Sequence, residues 1–250
     1  MTNVAELRPP TLAINAERYE IHHPYLRKPL AFIGIEGEHQ SKIIQSTGKF
    51  YEQDLLDALE PYTWRRAGIV IDVGACLGNH TLYFAGVLGF HVLSIEPCDI
   101  SREILRQMVM ENNLEDYIMF SHIAAGAANG KAFLDPPKIS KIGSLRLRAI
   151  QIPGASEIPV ATLDHLYRTS RWKERPVVLI KIDVEGMEAE VLKGSVNILK
   201  EHTPIFAIEC ADEAHLHEVE AILAPFGYKR KGPYCATPTY IFHIEEPRIR

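Results

Sequence analysis

The sequence is poor in the features that announce a secreted, membrane-bound or metal-scaffolded protein. Its four cysteines (Cys76, Cys98, Cys210 and Cys235) form no C-x-x-C pair and no zinc spacing. Three of them fall at or beside predicted strand ends, where a free thiol serves as a small hydrophobe. A reducing, cytoplasmic setting is therefore expected. No hydrophobic run approaches membrane-spanning length. The opening M-T-N-V-A-E-L-R-P-P has no basic stretch ahead of an apolar core, so neither a signal peptide nor a membrane partner is read. Basic excess is missing as well: 27 Lys and Arg against 32 Asp and Glu leave a net charge of −5. That balance opposes a nucleic-acid groove as the main binding surface. There is no internal repeat and no low-complexity tract. The sequon at Asn79-His80-Thr81 lies at a predicted helix start and is accidental in a cytosolic chain.

What is present is an ordinary globular composition, 46% hydrophobic and 24% charged, in a chain long enough for one sizeable α/β domain with an appendage. Residues 1–48 are irregular and rich in proline, with short alternating pieces such as Ala31–Ile35 that suggest strands. Gln53–Leu59 has helical spacing and is expected to end before Pro61. Residues 1–60 thus form an N-terminal extension of short strands and a helix, a candidate substrate cap, and 61–250 form the main domain.

From Ile69 the pattern alternates. Strands are expected at Ile69–Val73, His91–Glu96, Tyr117–Ala124, Val177–Asp183 and Ile205–Glu209. Helices are expected at Thr81–Leu88, Ser101–Asn112, Met187–Lys200 and Glu213–Leu223. Gly227–Lys231 and Tyr240–Ile244 are expected to close as a terminal hairpin. Residues 125–160 break the rhythm with glycine, proline and short β-like pieces. Strand–helix alternation implies a mostly parallel sheet covered by helices on both faces.

The stretch I-V-I-D-V-G-A-C-L-G-N, residues 69–79, places a glycine loop between a strand and a helix at the sheet's carboxyl edge. Ligands of open α/β sheets sit at that edge, where backbone N–H groups and a helix N-terminus face them. No lysine follows Gly78, so this is not a nucleoside-triphosphate loop, and the G-x-G-x-x-G dinucleotide spacing is missing. The loop therefore suits a nucleoside without pyrophosphate, its glycines keeping the ligand's approach path open. Glu96, closing the next strand, can accept both hydroxyls of a ribose, at about 1.5–3 kcal/mol for each charge-assisted bond. Asp72, closing the first strand, can face an ammonium group. Nucleoside, ammonium and no phosphate together describe S-adenosylmethionine. Its expected contacts are Asp72, Gly74, Ala75, Gly78, Asn79, Thr81, Glu96 and Pro97.

A second stretch, K-I-D-V-E-G-M-E at 181–188, ends another strand and opens a helix. Alternation puts Lys181 and Asp183 on one side of the strand, with Asp183 emerging beside the methyl donor as a candidate general base. Lys181 is a second catalytic candidate, although an ammonium so near lowers a carboxylate's pKa and weakens it as a base. His80, in the first turn after the glycine loop, is the third. Glu185 and Glu209 are candidates for lining the substrate pocket, whereas Glu188 and Glu190 read as charges complementing a helix N-terminus. The doublet His22-His23 lacks a third ligand and is read as surface. No metal is expected, although Asp183, Glu185 and Glu209 could together hold a magnesium ion.

These motifs resemble the FkbM-type S-adenosylmethionine-dependent methyltransferases. The resemblance runs from Phe50-Tyr51-Glu52 through residues 71–81, Ser94–Pro97 and V-A-T-L-D-H-L at 160–166. It continues through K-I-D-V-E-G-M-E-A-E-V-L-K-G at 181–194 to I-E-C at 208–210. It implies a class I methyltransferase fold, a Rossmann-like seven-stranded sheet. It also implies methyl transfer to a hydroxyl of a sugar, polyketide or other secondary metabolite. It supports Asp72, Gly74, Gly78, Asn79 and Glu96 around the cofactor, with Asp183 and Glu185 on the reaction side. N-methylation is the nearest alternative. A nicotinamide-dependent oxidoreductase and a noncatalytic S-adenosylmethionine-binding protein are the others. A small-molecule acceptor is the expected partner, and a homodimer is compatible with the sequence.

Overall fold

The computed structural model describes residues 15–64 and 66–244. The extension opens with an antiparallel hairpin of β1 (Ala16–Ile21) and β2 (Leu30–Ile35). Helix α1 (His39–Thr47) follows, starting where the Glu38 carboxylate accepts from the N–H groups of Gln40 and Ser41 and ending at left-handed Gly48. Sequence periodicity misses this helix. Helix α2 (Gln53–Thr63) runs past Pro61 instead of stopping before it. Both Pro61 and Asp57, whose carbonyl loses its intrahelical donor there, are exposed, so solvent can serve that carbonyl.

The core is the expected alternation. It comprises β3 (Ile69–Val73), α3 (Asn79–Leu82), β4 (His91–Ile95), α4 (Asp99–Glu111) and β5 (Ile118–Ser121). The strand expected at Tyr117–Ala124 is broken: β6 (Ala124–Ala125) leaves for a second sheet with β7 (Gly130–Leu134), β8 (Leu147–Arg148) and β9 (Ser156–Ala161). That four-stranded sheet accounts for the break in rhythm after residue 125. Helix α5 (Leu163–Thr169) then leads back to β10 (Val177–Ile182).

The helix expected at Met187–Lys200 is two, α6 (Glu188–Lys193) and α7 (Val196–His202). Gly194 between them presses on the second sheet so closely that a Cβ would lie 2.1 Å from the Gly126 carbonyl oxygen. The chain closes with β11 (Ile205–Glu209), α8 (Glu213–Leu223) and the hairpin β12 (Lys229–Tyr234) and β13 (Thr239–His243). The helix expected over Thr81–Leu88 is likewise composite, α3 passing into a π-helical turn at Tyr83–Val87.

The main sheet has the seven strands expected, in the order β12-β13-β11-β10-β3-β4-β5. Five are parallel and the terminal hairpin is antiparallel. Strand order reverses between β3 and β10, so the two stretches singled out in the sequence end side by side at the switch point. Side chains alternate between two cores: Ile69, Ile71 and Val73 enter one, Val70 the other. The extension belongs to the second core through Ile21, Phe32, Ile35 and Ile44. Asn112, at the end of α4, also grips it, its amide bonding both the N–H and the carbonyl of Ala31.

Candidate active site

The carboxyl ends of β3, β4, β10 and β11 deliver Asp72, Glu96, Asp183 and Glu209 to one edge. Glu96 receives the N–H of Cys76 on one oxygen (2.8 Å) and that of Cys98 on the other (2.7 Å). Each carboxylate oxygen keeps a lone pair for a further donor. Burial pushes Glu96 up to about 7, the two N–H groups pulling it down and Asp72 adding to the rise. Glu96 lines a narrow cavity with Gly74, Cys76 and Pro97 on one side and Asp183 and Glu185 on another. Ala124, Leu134, Ile142, Leu145 and Leu147 form its apolar wall.

Of the residues expected around a cofactor, Gly74, Glu96 and Pro97 are in this wall, and Asp72, Ala75, Gly78, Asn79 and Thr81 are not. Four of the latter have another task. Thr81 donates its hydroxyl to Asp72 Oδ2 at 2.6 Å, both being fully buried, while Asp72 Oδ1 has no hydrogen-bond partner among the described residues. Asn79 clamps the backbone of Tyr51, accepting from its N–H and donating to its carbonyl, each at 2.9 Å. Gly78 lets the loop lie on α4, where a Cβ would stand 2.1 Å from Leu105 Cδ1. Gly74 is needed for a reason other than ligand approach. At φ +80° it lies against β10, and a Cβ would fall 1.8 Å from the Asp183 carbonyl oxygen.

Lys181 is the hub of the edge. It pairs across the parallel ladder with Asp72, and its Nζ lies 2.9 Å from Asp183 Oδ2 and 3.5 Å from the Gly74 carbonyl. Burial would lower its pKa, but Asp183, Asp72 and Glu52 more than offset that and hold it above the ordinary lysine range. Burial acts upward on Asp183, and Lys181 outweighs it, holding the carboxylate below its usual value. Glu209 moves the other way: burial and the Asp183 charge push it far above the carboxylate range, so it keeps its proton at neutral pH and donates to Asp183. Asp183 is thus an anion with two committed partners, which weakens it for the base role expected of it.

Beyond Asp183 lies a second, wider cavity of about 390 Å³, sharing Gly143, Asp183 and Glu185 with the first. Its lining is polar and includes Gln40, Tyr51, Glu52, Ser140, Glu209 and Thr237. Glu185 stands on it in the left-handed region (φ 56°). Burial and Asp183 raise its pKa, and Arg146 and Ser144 act against them. Glu188 turns away and accepts from the N–H groups of Val184 and Gly186 (3.1 and 3.0 Å), fixing the turn that presents Glu185. His80 is buried rather than open to the cavity, with Nε2 3.3 Å from Glu52 Oε2. Carboxylate oxygens of Asp183, Glu185 and Glu209 lie within 4.8 Å of one another, close enough to share a cation.

Sequence reasoning did not single out Tyr51, Glu52 or the 139–147 segment as parts of a site. Phe50-Tyr51-Glu52 carried a motif signal, but nothing in 139–147 marks it as a cover.

A family model described as the methyltransferase FkbM domain matches residues 72–230, well over half of the chain. Among solved structures, the chain is similar to the methyltransferase FkbM from Methylobacillus flagellatus KT, with TM-score 0.52 and 22% identity. The match covers 70% of this chain and 43% of that one, so this chain spans less than half of that protein's length. A precorrin-6y C5,15-methyltransferase from Geobacter metallireducens GS-15 aligns at TM-score 0.44 and 10% identity, over 76% of this chain and 86% of that one. The N-terminal domain of human METTL16 in complex with SAH aligns at TM-score 0.46 and 16% identity, over 76% and 68%. No curated protein matches the sequence. No helix among the described residues is long and apolar enough to cross a membrane. The 72–230 match ties the glycine loop, Glu96 and the K-I-D-V-E-G run into one unit, and the chain belongs to the FkbM methyltransferase family.

Proposed function

We propose that the protein transfers a methyl group from S-adenosylmethionine to a hydroxyl of a small, polar acceptor. The observation that carries the proposal is the pair of cavities meeting at Asp183, one with a nucleoside's recognition groups and the other lined by polar side chains. Family membership implies a donor of the S-adenosylmethionine type, and the first cavity has groups to hold it. Glu96 offers two free lone pairs to ribose hydroxyls, and the Leu134–Leu147 wall offers an apolar face for a base. The cavity is only about 60 Å³. Ile142, Gly143, Leu145 and Leu147 stand over it, and this cover must shift outward to admit a nucleoside.

The donor supplies an already activated methyl on a sulfonium centre, so the chain's contribution is chiefly to align the acceptor oxygen for in-line attack. Asp183, Glu185 and Glu209 at the junction supply acceptors and one donor for a polyhydroxylated molecule. Asp183, held by Lys181 and Glu209, serves to orient the acceptor. The same carboxylates fit an ammonium group, which makes methylation of an amine the second reading. No metal enters the scheme, because the Lys181 ammonium already supplies the cation beside Asp183.

The test is a screen of glycosides, hydroxylated macrolactones and aminosugars with S-adenosylmethionine labelled in the methyl group. A labelled methyl ether supports the reading and a labelled methylamine supports the second. No product from any class, together with no binding of S-adenosylmethionine, would refute both.

A further inference from the structure

The extension places one more ionisable group on the acceptor cavity, and its surroundings are unusual. Glu52 stands in the left-handed region (φ 58°, ψ 39°), a conformation that is strained for a residue with a Cβ. The strained backbone is held from outside, since Asn79 grips both backbone groups of the preceding Tyr51. Strain that the surroundings over-determine concentrates at functional positions. Here it aims the Glu52 carboxylate at the cavity shared with Asp183 and Glu209.

Behind Glu52 sits His80, 5% exposed, its Nε2 3.3 Å from Glu52 Oε2 yet not aligned as a hydrogen bond. Among the described residues, no other polar atom partners that nitrogen. This nearly buried imidazole, with the Phe84 ring beside it, faces a cavity-lining carboxylate and buttresses it from behind.

We infer that Glu52 is the group that takes the acceptor's proton, and that His80 is the positioning residue that holds its carboxylate in place. The inference rests on the reading of the polar cavity as the acceptor site. In the step, the acceptor oxygen forms a bond to the methyl carbon as the sulfur–methyl bond breaks. The electron pair of the broken bond stays on sulfur, and the hydroxyl proton passes to a Glu52 oxygen. Glu52, like Asp183, has two polar neighbours, His80 and Cys235, but neither is a lysine, whereas Asp183 is bound by Lys181 at 2.9 Å and by the Glu209 proton.

The charged and titratable groups facing Glu52 come from several elements: His80 on α3, Lys181 on β10 and Asp183 just after it, Tyr51 beside it, and Cys235 in the terminal hairpin. The Cys235 thiol stays protonated, pushed up to about 12 by burial first and by Glu52 next. On Glu52, burial acts upward, and His80 and Lys181 outweigh it so that the carboxylate lies below its ordinary range.

Two measurements on the full chain test the inference. The first follows the Glu52 carboxyl carbon by NMR across pH, with Glu52→Gln assigning the signal. Removing the imidazole in His80→Asn takes away the interactions that most lower Glu52 and leaves burial to dominate, so the midpoint should rise by at least about one pH unit. An unchanged midpoint would overturn the role of His80. The second measures S-adenosylhomocysteine formed from S-adenosylmethionine with the best acceptor from the screen. Glu52→Gln should lower turnover by about 10²-fold or more, leave donor affinity within a few-fold, and be partly rescued by Glu52→Asp. In His80→Asn the acid limb of the turnover profile should move to higher pH. Near-normal turnover in folded Glu52→Gln would overturn the base assignment. A wild-type protein that forms no product with any acceptor would refute the proposed reaction instead, while the titration would still decide whether the pair is coupled.

Discussion

The two cavities proposed for donor and acceptor meet at Asp183 but are assembled in opposite ways. The donor side comes from consecutive strand ends of one βαβ unit: the loop after β3 and Glu96 after β4, less than thirty residues apart. Its polar recognition is backbone-like and rigid, a carboxylate fixed by two N–H groups. The acceptor side gathers Tyr51 and Glu52 from the extension, Ser140 and Gly143 from the cover, Asp183 and Glu209 from strand ends, and Thr237 from the terminal hairpin. A local segment can carry a recognisable motif because its geometry follows from its own strand and turn. A surface drawn from five distant segments can change piece by piece, which is how one fold can take many acceptors.

The largest effect expected is on the residue that touches both sides. Lys181→Met would leave the buried Asp72 and the partly exposed Asp183 without their cation, at a cost of about 3–5 kcal/mol in stability. Combining it with Asp183→Asn should cost less than the sum of the two single changes, because one stranded charge is removed with its partner. Denaturant unfolding of the three variants checks this, and a single-variant loss below about 1 kcal/mol would mean that the two cavities are not joined electrostatically.

A smaller effect separates the cavities by pH. Glu96 lies near 7 in the free protein, and only its ionised form accepts two ribose hydroxyls. Donor binding therefore favours the deprotonated form and should be complete above that pH. Affinity should be lost as pH falls through 7, by about tenfold between pH 8 and pH 6. Glu52 and Asp183, both held below the ordinary range, stay ionised across that window and add no dependence of their own. Calorimetry in buffers of different ionisation heat should also show a proton released on binding near pH 7. PH-independent donor affinity would remove Glu96 from the ribose contact.

The smallest effect expected is none. Dialysis against a chelator should leave turnover unchanged, since Lys181 occupies the cation position beside Asp183. Loss of activity with magnesium-specific rescue would turn Asp183, Glu185 and Glu209 into ligands and make the acceptor side a metal site.

The same contrast explains what could be read without coordinates. The central parallel strands were legible as short, fully buried and mostly apolar runs, as in Ile69–Val73 and Val177–Ile182. Asp72, Glu96, Lys181 and Asp183 were legible as charges placed where such runs end. Three things were hidden because they depend on contacts distant in sequence. Gly194 splits a helix only because Gly126 lies against it. Thr81 and Asn79 turn inward because Asp72 and the Tyr51 backbone wait for them there. Gly74 answers to the Asp183 carbonyl, more than a hundred residues away, rather than to a ligand. Helix α1 escaped notice because its N-cap is a glutamate, outside the usual Ser, Thr, Asp and Asn set.

The most direct test of the central claim, that a nucleoside methyl donor is held at the end of β4, is calorimetric binding of S-adenosylmethionine to Glu96→Ala. Loss of two charge-assisted bonds should weaken affinity by about 10- to 100-fold, roughly 1.4–2.8 kcal/mol, while thermal unfolding confirms that the fold is kept. Wild-type affinity in the folded variant would contradict the account and place the donor elsewhere.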